Sequence, residues 1–223
     1  MASKTYLKLV AYDADLREKY GPVLCGVDEA GRGAWSGPIA AGAVILPPTA
    51  CIVGMNDSKQ IKDPARREAL AELVKSVALG WSVQMIGPEE IDSKGIQWAN
   101  AEVMRRAAEE AAQRAGLRVD LYVIDQSPCK SLHPHLMLAK ADGTSQCVAS
   151  GAILAKTTRD AHMAALGEKY PEYNLAGNDG YVRPEHVDAV NKYGLVQGLH
   201  RFTWNVEGMI KPKPTTYDLD LIF

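Results

Sequence analysis

Apolar residues along the chain fall into short blocks whose spacing alternates between that of strands and that of helices. The runs at Val23 to Val27, Ile39 to Leu46, Trp81 to Ile86, Asp120 to Asp125 and Leu136 to Ala139 predict five strands, the second stopped by Pro47-Pro48. Helices are predicted between them. A short one surrounds Asp15 to Lys19. Asp63-Pro64 supplies an N-cap and a first-turn proline for one reaching about Ala78. Pro88 opens a helical region whose apolar face is Ile91, Ile96, Ala99, Val103 and Ala107, and Gly116 closes it. Ser145 to about Lys169 and Pro184 to Tyr193 complete the set. Two or three antiparallel strands followed by alternating helices and strands predict an α/β protein, a mixed five-stranded sheet flanked by helices.

With 223 residues the chain can bury one sizeable core, and we expect one domain over 1-209 followed by a Pro-containing linker and end peptide over 210-223. A composition of 47% hydrophobic and 23% charged residues excludes disorder. No signal-peptide pattern and no apolar run of 18 residues is present, so a cytoplasmic protein with no membrane association is expected, acting as a monomer. Cys25, Cys51, Cys129 and Cys147 show neither zinc spacing nor a disulfide framework, and Cys25 and Cys147 read as core thiols. The net charge of -2 removes a whole-protein positive field as a source of nucleic-acid affinity. Local basic groups would have to supply it: Lys59, Lys62, Arg66 and Arg67 form one cluster, and Arg183, Lys192, His200 and Arg201 another.

Candidate chemistry centres on acids at strand ends. Asp28-Glu29 follows the first apolar run, Asp125 closes the fourth, and Asp160 lies inside the long helix. Neighbouring side chains of a strand point to opposite faces, so Asp28 and Glu29 share one site only if the strand ends or twists there. Gly31 and Gly33 supply backbone freedom for that. Four gathered carboxylates would repel one another and call for divalent cations; hard oxygen donors suit Mg2+ or Mn2+, and a pair of such ions can stabilise an in-line phosphoryl displacement. Lys156, four residues before Asp160, shares its helical face and can meet a phosphate or pair with the aspartate. Lys59 is a second phosphate candidate. Gly31-Arg32-Gly33 is not a dinucleotide fingerprint, since Ser36 stands where the third glycine belongs and a strand follows.

Together these residues resemble the type 2 ribonuclease H family, ribonuclease HII. The matching segments are Gly26-Val27-Asp28-Glu29-Ala30-Gly31-Arg32-Gly33, Gly37-Pro38, Asn56-Asp57-Ser58-Lys59, the strand closing on Asp125, Lys140-Ala141-Asp142, Ile153-Leu154-Ala155-Lys156 with Thr158-Arg159-Asp160, Tyr170-Pro171, Gly180-Tyr181 and His200-Arg201. The resemblance implies an RNase H-like fold and metal-dependent endonucleolytic cleavage of RNA in RNA/DNA hybrids and at ribonucleotides embedded in duplex DNA. It makes Asp28, Glu29, Asp125 and Asp160 the catalytic, metal-binding acids for two ions. Gly31, Arg32 and Gly33 would read the 2'-hydroxyl and adjoining phosphate, Tyr181 would pack on the neighbouring sugar, and Lys59 and Lys156 would contact phosphates.

The chain departs from the family pattern at Gly151-Ala152, where Ala-Ser is usual, at Gln126, where glycine is usual, and in the loop Ala34-Trp35-Ser36. Arg32, Asp160 and the short N-terminus favour type 2 over the sister type 3 enzymes. Leu219, Leu221 and Phe223 in the end peptide are similar to a sliding-clamp-binding motif, although aspartate stands where its leading glutamine is usual. The competing readings are a duplex-binding or clamp-associated homologue with weakened turnover and another nuclease of the RNase H fold.

Overall fold

The structure, a computed structural model, describes residues 5-56, 60-125, 129 and 131-209. Its chain order is α1 (Thr5–Tyr20), β1 (Leu24–Ala30), β2 (Ile39–Ile45), α2 (Pro64–Val77), β3 (Gly80–Ile86), α3 (Pro88–Lys94), α4 (Ile96–Ala115), β4 (Leu121–Asp125), β5 (His135–Leu138), α5 (Gln146–Lys169), α6 (Leu175–Asn178) and α7 (Pro184–Tyr193). The five strands form one sheet in the order β3-β2-β1-β4-β5. The first three are an antiparallel meander, and β4 and β5 run parallel to β1. The mixed sheet flanked by helices is therefore as the sequence predicts.

Strand alternation divides the core into two layers. Leu24, Val44, Leu121 and Val123 pack with Val148 and Leu154 of α5 on one side. Cys25, Val27, Ala43 and Ile124 pack with Val103 and Ala107 of α4 on the other. The α5 layer is unusually close. A Cβ added at Gly26 would collide with the Cys147 backbone, one at Gly42 with the Gly151 carbonyl oxygen, and one at Gly151 would come within 2.7 Å of the Gly42 carbonyl oxygen. Helix α5 thus lies almost directly on the backbone of β1 and β2.

The start of α5 is held from two sides. Ser145 caps it by accepting from Val148 N–H, and buried Asp13 of α1 accepts from Cys147 N–H at 2.9 Å. Residues beyond α5 add a third cluster around Trp35, Met163, Tyr173 and Leu199, which closes over the loop after β1.

Several expectations are corrected in detail. Strand β1 continues through Asp28 and Glu29 to Ala30 in regular register with β2, rather than ending at Val27. Strand β5 begins one residue earlier than its apolar run suggests, at His135. The helical region after Pro88 is two helices, because Gly95 adopts φ +86°, a left-handed conformation that interrupts α-helical hydrogen bonding. Helix α1 is far longer than the segment around Asp15. His200 and Arg201 are fully buried and belong to no surface cluster. Helix α2 is capped by Asp63 as read, and α7 has the expected bounds. Cys25 and Cys147 are buried free thiols, and burial pushes the Cys25 thiol up to about 12. No helix among the described residues is long and apolar enough to cross a membrane.

The close contact between α5 and the sheet makes a direct prediction. Gly42→Ala should cost more than the ~1–3 kcal/mol usual for an overpacked core, because backbone rather than a flexible side chain meets the new methyl. Urea denaturation measures the loss, with Gly87→Ala, where nothing lies within 4 Å, as the tolerated control.

Candidate active site

The register brings two acids together from separate strands. Leu24 pairs with Leu121 and Gly26 with Val123, so two residues further along, Asp28 and Asp125 stand side by side on the face covered by α5. Asp142 joins them from the 3-10 turn Ala141–Gly143, which leads into α5. That turn is tied to the strand because Asp125 Oδ1 accepts from Ala141 N–H at 2.9 Å. Asp28 is 6% exposed and Asp142 4%. Burial, and then the charges of Glu29, Asp125 and Asp142, hold the Asp28 carboxyl well above its ordinary pKa.

Asp160 is placed differently. It is not among the groups acting on Asp28. Helix α5 meets the sheet at Gly151, and Asp160 lies nine residues on, about 13 Å along a helix axis. There Arg67 of α2 binds one carboxylate oxygen at 2.8 Å and Lys156 the other at 2.6 Å. Lys156 also reaches Asp179 at 3.2 Å.

Beside the acids lies a groove of about 240 Å³ whose walls include Glu29, Gly31, Arg32, Gly33, Lys156 and Tyr181. Six residues singled out in the sequence are therefore neighbours in space. Ala152 also lines it, at the position where the family usually carries a hydroxyl. Tyr181 is partly exposed, and the Arg159 guanidinium sits 5.7 Å from its ring centroid. Lys59, Gln126 and the end peptide with Leu219, Leu221 and Phe223 lie outside the described residues.

The loop from Gly31 to Pro38 is fixed from beneath by two buried arginines. Arg201 donates to the carbonyls of Gly31 and Arg32, each at 2.7 Å, and of Gly37 at 3.1 Å. Arg159 donates to Pro38 O at 2.9 Å and Ser36 O at 3.2 Å. Gly31 has φ +80°, and any Cβ there would strike Arg159. Trp35 is fully buried against His186 and His200. His200 accepts from Val196 N–H on Nδ1, so its proton is on Nε2, which meets Nε2 of His186 at 3.3 Å. Burial, then His186, lowers the His200 pKa to about 3, which keeps this plug neutral.

A family model described as Ribonuclease HII matches residues 25–206. The chain belongs to the ribonuclease HII family. A curated ribonuclease HII from Corynebacterium efficiens is 42% identical over 209 residues, covering 92% of this chain and 87% of that protein. Ribonuclease H2 from Pyrococcus horikoshii OT3 superposes with a TM-score of 0.68 at 26% identity, covering 82% of this chain and 93% of that one. Two more distant structures share the fold. Archaeoglobus fulgidus RNase HII, solved in a complex with PCNA, gives a TM-score of 0.64 at 23% identity, over 89% of this chain and 98% of that one. Bst-RNase HIII, solved in complex with Mn2+, gives 0.62 at 15%, over 91% of this chain and 70% of that one. As a member of the ribonuclease HII family, this chain is a ribonuclease H with the RNase H-like fold.

The ribonuclease HII residues can be tested for metal binding on their chemistry. Asp28, Glu29, Asp125 and Asp142 offer only hard oxygens, and their mutual repulsion is the kind a divalent cation relieves, so the donor set fits. Asp28 Oδ1 accepts from Glu29 N–H at 2.7 Å and Asp125 Oδ1 from Ala141 N–H at 2.9 Å. Among the described residues no three His, Cys, Asp or Glu side chains are arranged to hold an ion. Asp142 belongs to the Lys140-Ala141-Asp142 segment of the family pattern, to which the sequence alone attaches no role. Its signal was its position just before the N-cap of the long helix, where a turn can lean on the end of β4.

The raised Asp28 pKa has a defined sign. The native state holds this proton more tightly than the unfolded chain, whose Asp titrates near ~3.9, so stability falls as pH rises from there through the folded value. Asp28→Asn should remove that fall. In EDTA the variant should be more stable than wild type at pH 7, with the difference closing toward pH 4, as read by urea unfolding across pH.

Proposed function

We propose that this chain cleaves the RNA strand of RNA/DNA hybrids and the bond at a ribonucleotide embedded in duplex DNA, leaving 5'-phosphate and 3'-hydroxyl ends. The observation that carries the reading is one groove in which the Gly31 to Gly33 backbone, Lys156 and Tyr181 adjoin a buried acid cluster. The 2'-hydroxyl is what separates RNA from DNA, and glycine backbone can approach it closely enough to hydrogen-bond it. Tyr181 packs on the neighbouring sugar. Lys156, now shared between Asp160 and Asp179, turns its charge to an arriving phosphate, which positions the duplex without reading sequence.

Asp28, Asp125 and Asp142, with Glu29, would hold two divalent cations, Mg2+ or Mn2+. When bound, such ions activate a water and stabilise the leaving 3'-oxygen. Asp142 takes the fourth acidic position that the sequence assigned to Asp160, and Asp160 instead orients Lys156 and docks α2 through Arg67. The metal-bound relative and the PCNA-bound relative are consistent with the cation requirement and with clamp docking through Leu219, Leu221 and Phe223, on a tail following a catalytic domain of residues 1-209. One observation favours a weaker enzyme as the second reading: Ala152 presents a methyl to the groove where a hydroxyl is usual.

The test is magnesium-dependent cleavage of a DNA duplex carrying one ribonucleotide, beside an all-DNA duplex and a long hybrid. Cutting of all three alike would sink the ribose reading, and tight binding without cutting would establish the weakened homologue. Asp28→Asn, Asp125→Asn and Asp142→Asn should each lower kcat by roughly a hundredfold or more with duplex affinity retained. Asp160→Asn should cost about tenfold or less and act mainly on KM. Equal losses at Asp142 and Asp160 would contradict the assignment.

For sugar discrimination, Arg32→Ala and Tyr181→Ala should narrow the ratio of ribose to deoxyribose kcat/KM. The same paired substrates measure it, and an unchanged ratio removes the residue from that role.

A further inference from the structure

Two arginines, Arg159 and Arg201, both 1% exposed or less, point into the protein and, among the described residues, no carboxylate forms an ion pair with either; their bonds go to backbone carbonyls of one loop. Burying such a cation is costly, so its fixed bonds deserve a physical account. In a trans peptide the C=O and the following N–H point in opposite directions. Arg201 holds the Gly31 and Arg32 oxygens on its buried side, so the two N–H groups of those same peptide units, on Arg32 and Gly33, face the other way. The amides further along are used internally: Ala34 donates to Gly31 O, Trp35 and Ser36 to Gly180 O, and Gly37 to Leu199 O. Among the described residues no acceptor takes the amides of Arg32 or Gly33, and both residues line the groove.

We propose that Arg201, braced by Arg159, is a positioning residue for sugar discrimination, gripping two loop carbonyls so that the Arg32 and Gly33 amides are aimed at the 2'-hydroxyl. The proposal rests on the reading of the groove as the ribose site. It adds what makes a flexible glycine loop selective: the donors are oriented before substrate arrives, so no ordering cost is charged against a single hydrogen bond. Arg159 serves the far limb, holding Ser36 and Pro38, while its guanidinium lies near the Tyr181 ring. Neither arginine touches the reacting atoms. Lysine cannot replace either one, because a single ammonium cannot span two or three carbonyls with the fixed fork of a guanidinium. Burial and the neighbouring Arg159 lower the Arg201 pKa to about 9, which still leaves it charged at neutral pH.

The experiment uses the full chain in EDTA, where binding is read without turnover, against two duplexes that differ by one 2'-hydroxyl. Wild type should favour the ribonucleotide duplex. Arg201→Lys should bring that preference down by about tenfold, the scale of one lost hydrogen bond, with affinity for the all-DNA duplex within about twofold of wild type. A cooperative thermal melt certifies the fold, and the ribose to deoxyribose ratio is a readout that general destabilisation would not move. A folded Arg201→Lys that keeps its preference within twofold overturns the proposal. If that variant melts out, Arg159→Lys is judged by the same two criteria. A wild type that shows no preference overturns the ribose reading and this inference together, which distinguishes that failure from failure of the arginine grip alone.

Discussion

The approach of α5 to the sheet is the constraint from which the site follows. Three glycines, Gly26, Gly42 and Gly151, remove the side chains that would hold helix and strands at ordinary packing distance. Over about the next two turns from that contact, the same helix presents Ala152, Lys156 and Arg159 to the groove. At its start, the capped turn through Asp142 is pressed against the end of β4. Moving α5 outward by the thickness of a methyl would therefore shift an acid, a phosphate candidate and a loop support at once. Asp13 of α1 adds to this by accepting from the first turn of α5, so even the N-terminal helix bears on where the site sits.

The electrostatics on the two sides of that helix are opposite in kind. On the sheet side, buried Asp28 and Asp142 are crowded by half-buried Glu29 and Asp125, and Asp28 holds its proton more tightly because of it. On the outer side, Asp160 and Asp179 share Lys156, and Asp160 also holds Arg67, so charge is balanced within the protein. Crowded acids act on one another at Asp28, whereas at Asp160 two cations take the two carboxylate oxygens and hold the side chain in place. That contrast is the basis on which the proposed site takes Asp142 in place of Asp160.

Much of this was legible in the chain. Apolar runs located all five strands, and local start signals, the Asp63 cap of α2 and the first-turn prolines of α2 and α7, located those helices. The motif around Asp28 gave the groove residues. Three things escaped for physical reasons. Ile91 and Ile96 maintain one apolar stripe, so periodicity alone runs straight through the break that Gly95 makes with φ +86°. Asp160 sits at a helical spacing from Lys156 that was read correctly, but whether a helix residue reaches a strand end depends on where the helix touches the sheet. That crossing is set by glycines 26, 42 and 151 together, and no single window of sequence contains them. The sequence places Arg201 among local basic groups for a similar reason, since the carbonyls that hold its buried charge lie more than 160 residues away in the chain.

The loop after β1 shows why the family match extends well beyond the acids. In the proposed site recognition runs through backbone, which places few demands on side chains, so Gly31, Arg32 and Gly33 could not by themselves specify their own conformation. The specification comes from the other side of the loop: a fully buried Trp35 seated on two neutral histidines, and two guanidinium forks that fill the carbonyls of residues 31, 32 and 36 to 38. Ser36 joins this support through His186 at 3.1 Å. Trp35 is thus an internal plug, and its unusual place in the motif reflects packing beneath the groove. The His200-Arg201 segment, far downstream of the acids, completes the site by shaping a surface it never reaches.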